Sequence, residues 1–205
     1  MADASNPGPP GGQGTRPGDL RLMPKDTGIL LIDVQDKACA AMPSGEIKGV
    51  IRNWAALAEM ACRFHFPVAV SEQYREQLGR TLPLLVESLG HLTPPPRFID
   101  KLEFSCWSNP LLQQFVLDSG RRTWLVAGIE AHVAVYQTIR DLREEGLRVH
   151  VVSDAVISRT RPNLAVGLSL IEKTGAIRTS TEAAFFDLMG RVGDADYKAL
   201  VKLLR

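Results

Sequence analysis

The chain has 205 residues, of which 45% are hydrophobic and 23% charged, and its formal net charge is +1. That length suits one domain with a single sizeable core, and the balance of apolar and charged residues is the ordinary globular one. Near-neutral charge gives no bulk support to nucleic-acid or membrane-surface binding, and no apolar run approaches the ~18 residues of a membrane span.

The stretch Met1 to Asp19 is crowded with glycine and proline. It holds too little apolar surface to offset chain entropy, so residues 1–19 read as a disordered tail and 20–205 as the folded domain. No basic-then-apolar signal pattern opens the sequence. Cys39, Cys62 and Cys106 form no C-x-x-C pair and leave one odd, so a disulfide framework is not expected and a reducing cytoplasm is.

Gly28 to Asp33 is a continuous apolar run ending in a carboxylate, the pattern of a central parallel strand covered on both faces. From Glu46 to Phe64, apolar residues recur at helical spacing on one stripe. Pro67 to Ser71 reads as a second strand, Glu72 to Thr93 as mixed loop and helix, and Arg97 to Lys101 as a third strand. Asn109 followed by Pro110 predicts a helix N-terminus, and Gly120 its end. Trp124 to Ala127 is a buried strand that turns through Gly128 into a helix running to about Glu145. A strand at 148–153, a helix from Pro162, a short strand at 177–180 and two final helices complete the chain. Strands alternating with helices predict a single-domain, three-layer α/β fold, with a mostly parallel sheet and helices on both faces.

Asp33 ends the first strand, Lys101 ends the third, and Ala134 follows the fourth by a glycine turn. In open α/β sheets, ligands bind outside the carboxyl ends of the strands, so three distant segments deliver these side chains to one edge. Each taken alone has a bland reading, as a helix cap or a solvated charge. Cys106 and Cys39 lie near this edge in sequence, and both read as small buried hydrophobes; Cys62 reads as core. The other histidines, His65, His91 and His150, show no metal-ligand spacing, so neither metal nor cofactor is expected. Arg75 and Arg80 are candidates for a rim that meets a carboxylate, against the blander reading of solvated loop arginines.

Gly128-Ile129-Glu130-Ala131-His132-Val133-Ala134-Val135 resembles the active-site turn of the isochorismatase-like, or cysteine hydrolase, family. Asp33-Val34-Gln35, Glu72-Gln73-Tyr74 with Leu78-Gly79, Lys101 with Phe104-Ser105, and Asp154-Ala155 with Ser158-Arg159 match it in colinear order. The resemblance extends from Gly28 to the end of the chain, and the Glu72–Pro83 loop looks most like the subgroup typified by isochorismatase domain-containing protein 2. It implies a catalytic Asp33, Lys101 and third member, with Ala134 standing where the family has its nucleophilic cysteine. It also implies ligand contacts by Gln35, Tyr74, Glu130, Ala131 and His132, the histidine with a structural part, and a cis peptide at Glu130–Ala131. A second departure is Ala38, where the family usually has an aromatic ring.

Family members with the cysteine attack an amide or related carbon through a thiolate, whereas a methyl group at Ala134 supports no covalent intermediate. True isochorismatases resemble this turn with glycine at that position and cleave a vinyl ether, which needs an acid that Asp33 is placed to be. Burial of Asp33 would raise its pKa and a nearby Lys101 would lower it. Two functions therefore follow from the resemblance: a small-molecule hydrolase working without a covalent step, or a non-catalytic binding or scaffold protein. A homo-oligomer is expected from the family habit and from the C-terminal apolar stripe of Phe185, Leu188 and Met189.

Overall fold

The computed structural model describes residues 17–192 and residue 201. Six strands, β1 (Thr27–Ile32), β2 (Val68–Gln73), β3 (Arg97–Lys101), β4 (Thr123–Ile129), β5 (Arg148–Ile157) and β6 (Ile177–Thr179), form one sheet in the order β3-β2-β1-β4-β5-β6. Every pairing is parallel. The helices are α1 (Asp36–Ala40), α2 (Ser44–Phe64), α3 (Arg75–Leu78), α4 (Pro83–Leu89), α5 (Pro110–Ser119), α6 (Tyr136–Glu144), α7 (Arg161–Lys173) and α8 (Thr181–Met189).

The core has two apolar layers, one on each face of the sheet. Trp54, Leu57, Leu85 and Phe185 bring α2, α4 and α8 onto one face. Leu112, Val116, Ile139, Leu142, Leu168 and Ile171 bring α5, α6 and α7 onto the other. A strand between two such layers must be apolar on both sides, and every residue of β1 is buried. Each fully buried aliphatic side chain there contributes roughly 1.5–3 kcal/mol relative to exposure.

Local signals set the boundaries. Asn109 caps α5 by accepting from the Leu111 N–H at 2.9 Å, Pro110 takes the first turn, and Gly120 closes the helix at φ 65°. His65 ends α2 in the left-handed region, its N–H on the Ala61 carbonyl. Between the Val126–Val151 and Gly128–Val156 pairs, β5 carries extra residues and bulges. The bulge is anchored: the Asp154 and Ala155 carbonyls accept from Asn53 Nδ2 at 2.6 Å and Trp54 Nε1 at 2.7 Å. The Asp154 carboxylate accepts from Thr181 N and Oγ1 at the start of α8.

Several expectations shift. Pro17–Leu20 already forms a 3₁₀ turn, with His150 Nε2 3.1 Å from the Asp19 carbonyl oxygen, so order begins before residue 20. The rest of the expected tail, residues 1–16, and most of the expected final helix lie outside the described residues. The helix α1 was not foreseen. Phe185 and Leu188 are buried against the protein's own sheet, so the α8 stripe is core rather than a free surface.

Candidate active site

The strand order reverses direction between β1 and β4, and the crevice at that switch point lies beyond their carboxyl ends. Asp33 is the first residue past β1. It is held at φ 53°, a left-handed conformation that bends the chain out of the sheet, and its N–H donates to the Ser71 carbonyl at 3.1 Å. The bend is possible because Gly128, on the adjacent strand, has no side chain. A Cβ there would sit 2.0 Å from the Ile32 carbonyl oxygen.

The Asp33 carboxylate is buried and held from two sides. Ser71 Oγ donates to Oδ1 at 2.7 Å, and Lys101 Nζ donates to Oδ2 at 2.9 Å. Lys101 is on β3, separated from β1 by β2, and its long side chain crosses the end of β2 to reach the acid. Its ammonium also donates to Gln73 Oε1 at 2.6 Å and approaches the Glu103 and Phe104 carbonyl oxygens at 3.2 and 3.3 Å. The opposing effects on Asp33 are resolved in favour of burial. Desolvation lifts its pKa above the ordinary 3.8, outweighing the Lys101 charge and the Ser71 and Lys101 hydrogen bonds that pull it down.

Beyond β4, the Ile129–Glu130 peptide is cis, one bond earlier than the family pattern suggested. Ala131–Val135 then forms a single π-helical turn that leads into α6. The Val135 N–H reaches back to the Glu130 carbonyl and the Tyr136 N–H to the Ala131 carbonyl, the i→i−5 pattern of a π turn. Gly167 on α7 lets that helix press against the turn, since a Cβ there would lie 2.6 Å from Ala131 C and His132 N.

A cavity of about 240 Å³ opens at this point. Asp33, Ile129 and Ala134 line it together. Ala38, Ala41, Met42, Leu78, Phe104 and Val133 make it largely apolar, and Lys37, Gln73, Glu130 and Arg159 add polar groups. Its volume falls below the ~300–1,000 Å³ of sites that hold drug-sized ligands, so it fits a smaller molecule.

Asp33 and Ala134 are thus brought to one cavity, with Lys101 directly behind the acid rather than in the lining. Of the five expected ligand contacts, only Glu130 lines it. Gln35 is fully buried, and its amide is engaged by backbone. Nε2 donates to the Gln73 and Gly79 carbonyls at 3.1 and 2.6 Å, while Oε1 accepts from the Gln73 N–H at 2.7 Å. Tyr74 is exposed, at φ 40°, outside the lining. Ala131 is fully buried against α7, and His132 Nδ1 lies 3.1 Å from Ser158 Oγ, a structural pairing.

Arg75 and Arg80 line a separate cavity of about 720 Å³ that shares no residue with the first, and Arg75 Nε is paired with Glu72 Oε2 at 2.5 Å. Cys106 is buried behind the acid, its thiol donating to Ser71 Oγ at 3.3 Å, and burial pushes that thiol up. Burial first and Asp36 second push Cys39 up to about 12. Among the described residues, no group of three or more His, Cys, Asp or Glu side chains converges to hold a metal ion.

Residue-by-residue reading missed Ser71, Lys37 and Arg159. Arg159 was visible only within a matched motif, and Lys37 depends on α1, whose alanines carry little periodic signal.

An open parallel three-layer sheet with a carboxylate–lysine pair at its switch point is the architecture of the isochorismatase-like hydrolases. The isochorismatase domain pattern matches residues 27–183, and the chain belongs to that family. It is 33% identical to the secreted isochorismatase effector Isc1 of Phytophthora sojae (strain P6497), over 90% of this chain and 87% of that one. It is 32% identical to isochorismatase domain-containing protein 2 of Homo sapiens, over 93% and 88%. Among solved structures, the MAR1 ribonuclease of Caenorhabditis elegans is similar with a TM-score of 0.81 at 33% identity, covering 90% of this chain and 92% of that one. Among the described residues, no helix is long and apolar enough to cross a membrane.

Proposed function

We propose that this protein is a small-molecule hydrolase that works without a covalent intermediate, with Asp33 as the acid that protonates a vinyl-ether type substrate. The observation that carries this reading is the Asp33 carboxyl group itself. It lines an apolar cavity, and burial raises its pKa toward the range in which a carboxylic acid still holds a proton. In the reaction, Asp33 gives its proton to the terminal alkene carbon, leaving an oxocarbenium ion. Water adds to that cation and loses a proton, which restores the acid, and the resulting hemiketal collapses to a carbonyl compound and an alcohol. Lys101 and Ser71 position the carboxyl group throughout.

The test is turnover of small vinyl ethers and amides by the wild-type protein and by Asp33→Asn. Vinyl-ether cleavage that Asp33→Asn abolishes supports the reading. Amide cleavage through a trapped acyl-enzyme, or turnover that Asp33→Asn leaves intact, sinks it.

A second reading, a non-catalytic binding or scaffold protein, is favoured by Ala134 in the nucleophile position and by a Lys101 ammonium engaged with four acceptors. Saturable binding of the same compounds without turnover supports it. The similarity to a protein described as a ribonuclease adds RNA to the assay panel. The small cavity and the net charge of +1 favour a small molecule. The three unpaired cysteines support a reducing, cytoplasmic setting. Exposed Leu102 and Phe104 support self-association, which light scattering at micromolar concentration checks.

A further inference from the structure

We infer that the second cavity, lined by α4, by Phe98 of β3 and by residues 72–81, is a binding site for a free amino acid with a large apolar side chain. The inference is independent of the reaction at Asp33, since the two cavities share no lining residue. Arg75 and Arg80, which the sequence suggests for the rim of a carboxylate site, open on this second cavity instead. Its volume of about 720 Å³ lies inside the ~300–1,000 Å³ of sites that hold small organic ligands.

The lining is held in place by the protein's own contacts. Glu72 is buried, and its Oε1 accepts from the Thr81 N–H at 2.7 Å and from Thr81 Oγ1 at 2.8 Å. Its Oε2 lies 2.5 Å from Arg75 Nε, so the inner edge of that guanidinium is engaged. The Arg75 backbone N–H donates to Asp100 Oδ1 at 3.2 Å. An antiparallel bridge pairs Gln35 with Thr81, flanked by the Asp36 N–H on the Arg80 carbonyl at 3.1 Å and the Leu82 N–H on the Val34 carbonyl at 3.0 Å. On α4, Leu85 and Leu89 are buried in the core, which leaves Pro83, Val86 and Glu87, spaced as one helix face, for the cavity wall. A wall fixed in this way spares much of the ordering cost of binding.

Charge placement fixes the ligand class. Glu72 and Arg75 offset one another. The side chains of Arg80, Asp36 and Glu87 make no hydrogen bond or ion pair among the described residues, so the lining offers uncommitted groups of both signs. A simple anion would face Asp36 and Glu87, and a simple cation would face Arg80. A zwitterion finds a partner for each end. Its carboxylate takes the planar fork of Arg80, with Arg75 beside it, and its ammonium takes the two carboxylates. Phe98, Val86 and Pro83 supply apolar surface for the remainder of the ligand. An α-amino acid carries both charges at one carbon and projects its side chain from that carbon, which matches this division of the lining.

The experiment measures dissociation constants of L-phenylalanine, 3-phenylpropanoate and 2-phenylethylamine by calorimetry on the full chain, at neutral pH and fixed ionic strength. The second probe lacks the ammonium group and the third lacks the carboxylate. L-phenylalanine is expected to bind about threefold more tightly than either, the scale of partly exposed charge pairs. Arg80→Gln should remove most of its advantage over 2-phenylethylamine. Asp36→Asn combined with Glu87→Gln should remove most of its advantage over 3-phenylpropanoate. All three side chains are exposed and lie outside the Asp33 cavity, and circular dichroism confirms that each variant is folded. A one-charge probe that binds as tightly as phenylalanine, no saturable binding of any probe up to solubility, or an advantage that survives either set of substitutions overturns the proposal. Vinyl-ether turnover bears only on Asp33, so this inference and the hydrolase reading fail separately.

Discussion

Replacing Lys101 with methionine keeps most of the side-chain volume and removes the charge. In the native protein the ammonium sits among four acceptors, and its side chain is completely excluded from solvent. Removing one partner of a buried ion pair leaves the other charge uncompensated, at a cost of ~3–5 kcal/mol. Asp33 has one way to reduce that cost, which is to take up a proton. Its folded pKa is already raised by burial, and without Lys101 the carboxylate loses its closest opposite charge and rises further. A group raised in the folded state contributes stability that is complete below its unfolded value, here 3.8, and that disappears as pH climbs through the folded value. The Lys101→Met penalty should therefore be smallest near about pH 4 and grow towards neutrality. Urea denaturation across that range gives the free energies. In the double variant Asp33→Asn with Lys101→Met no charge remains to bury, and at least ~2 kcal/mol of the single-variant loss should return at neutral pH. Effects that add within ~0.5 kcal/mol, or a penalty that stays flat with pH, would refute the view that these two groups form one electrostatic unit.

Other substitutions probe the scaffold and the missing thiol. Gly128→Ala places a methyl group 2.0 Å from the Ile32 carbonyl at a φ of 127°, so a loss of at least ~3 kcal/mol by denaturant midpoint is expected; a near-neutral result would contradict the close approach of β1 and β4. Gly167→Ala pushes α7 off the π turn and should cost ~1–3 kcal/mol by denaturant midpoint; a neutral result would contradict the close seat of α7 on that turn. Ala134→Cys should create a thiol that alkylates faster than the three native cysteines, all of which burial pushes upward. Its pKa, read from the pH dependence of alkylation, is expected below about 8.5 and should return to that value when Lys101→Ala is added. An ordinary value in both backgrounds would mean that the cavity has lost the family's polarising environment.

The parts of the fold legible in the sequence are those that local chemistry dictates. The unbroken apolar run of β1 announced a strand covered on both faces, and Asn109, Pro110 and Gly120 marked both ends of α5. Asp33 was legible because a carboxylate ending an unbroken apolar strand stands out, whereas Lys101 ends a strand that already carries Arg97 and Asp100 and was legible only as part of the colinear pattern. The path between them was not, since only the sheet order reveals that Lys101 must cross β2 to reach the acid. Gln35 entered as a ligand contact only through the family resemblance, and nothing in the sequence signals that the left-handed bend at Asp33 leaves its amide engaged with backbone groups at Gln73 and Gly79. Phe185 and Leu188 carried an apolar signal that does not distinguish a core face from an oligomer face. Arg159 reaches the cavity only because β5 and β4 end side by side, a non-local fact.

Ala38, Ala41 and Ala134 each stand at the wall of the cavity as a single methyl group. Only glycine is smaller, so nearly every point mutation at these positions narrows the chamber and almost none widens it. The sequence neighbourhood is therefore lopsided: tighter and more selective variants are one mutation away at three separate places, while a roomier chamber requires changes to larger side chains such as Met42 or Phe104. A directed-evolution library confined to these three codons would sort ligands by shape from a permissive starting point, with the acid and its lysine left untouched.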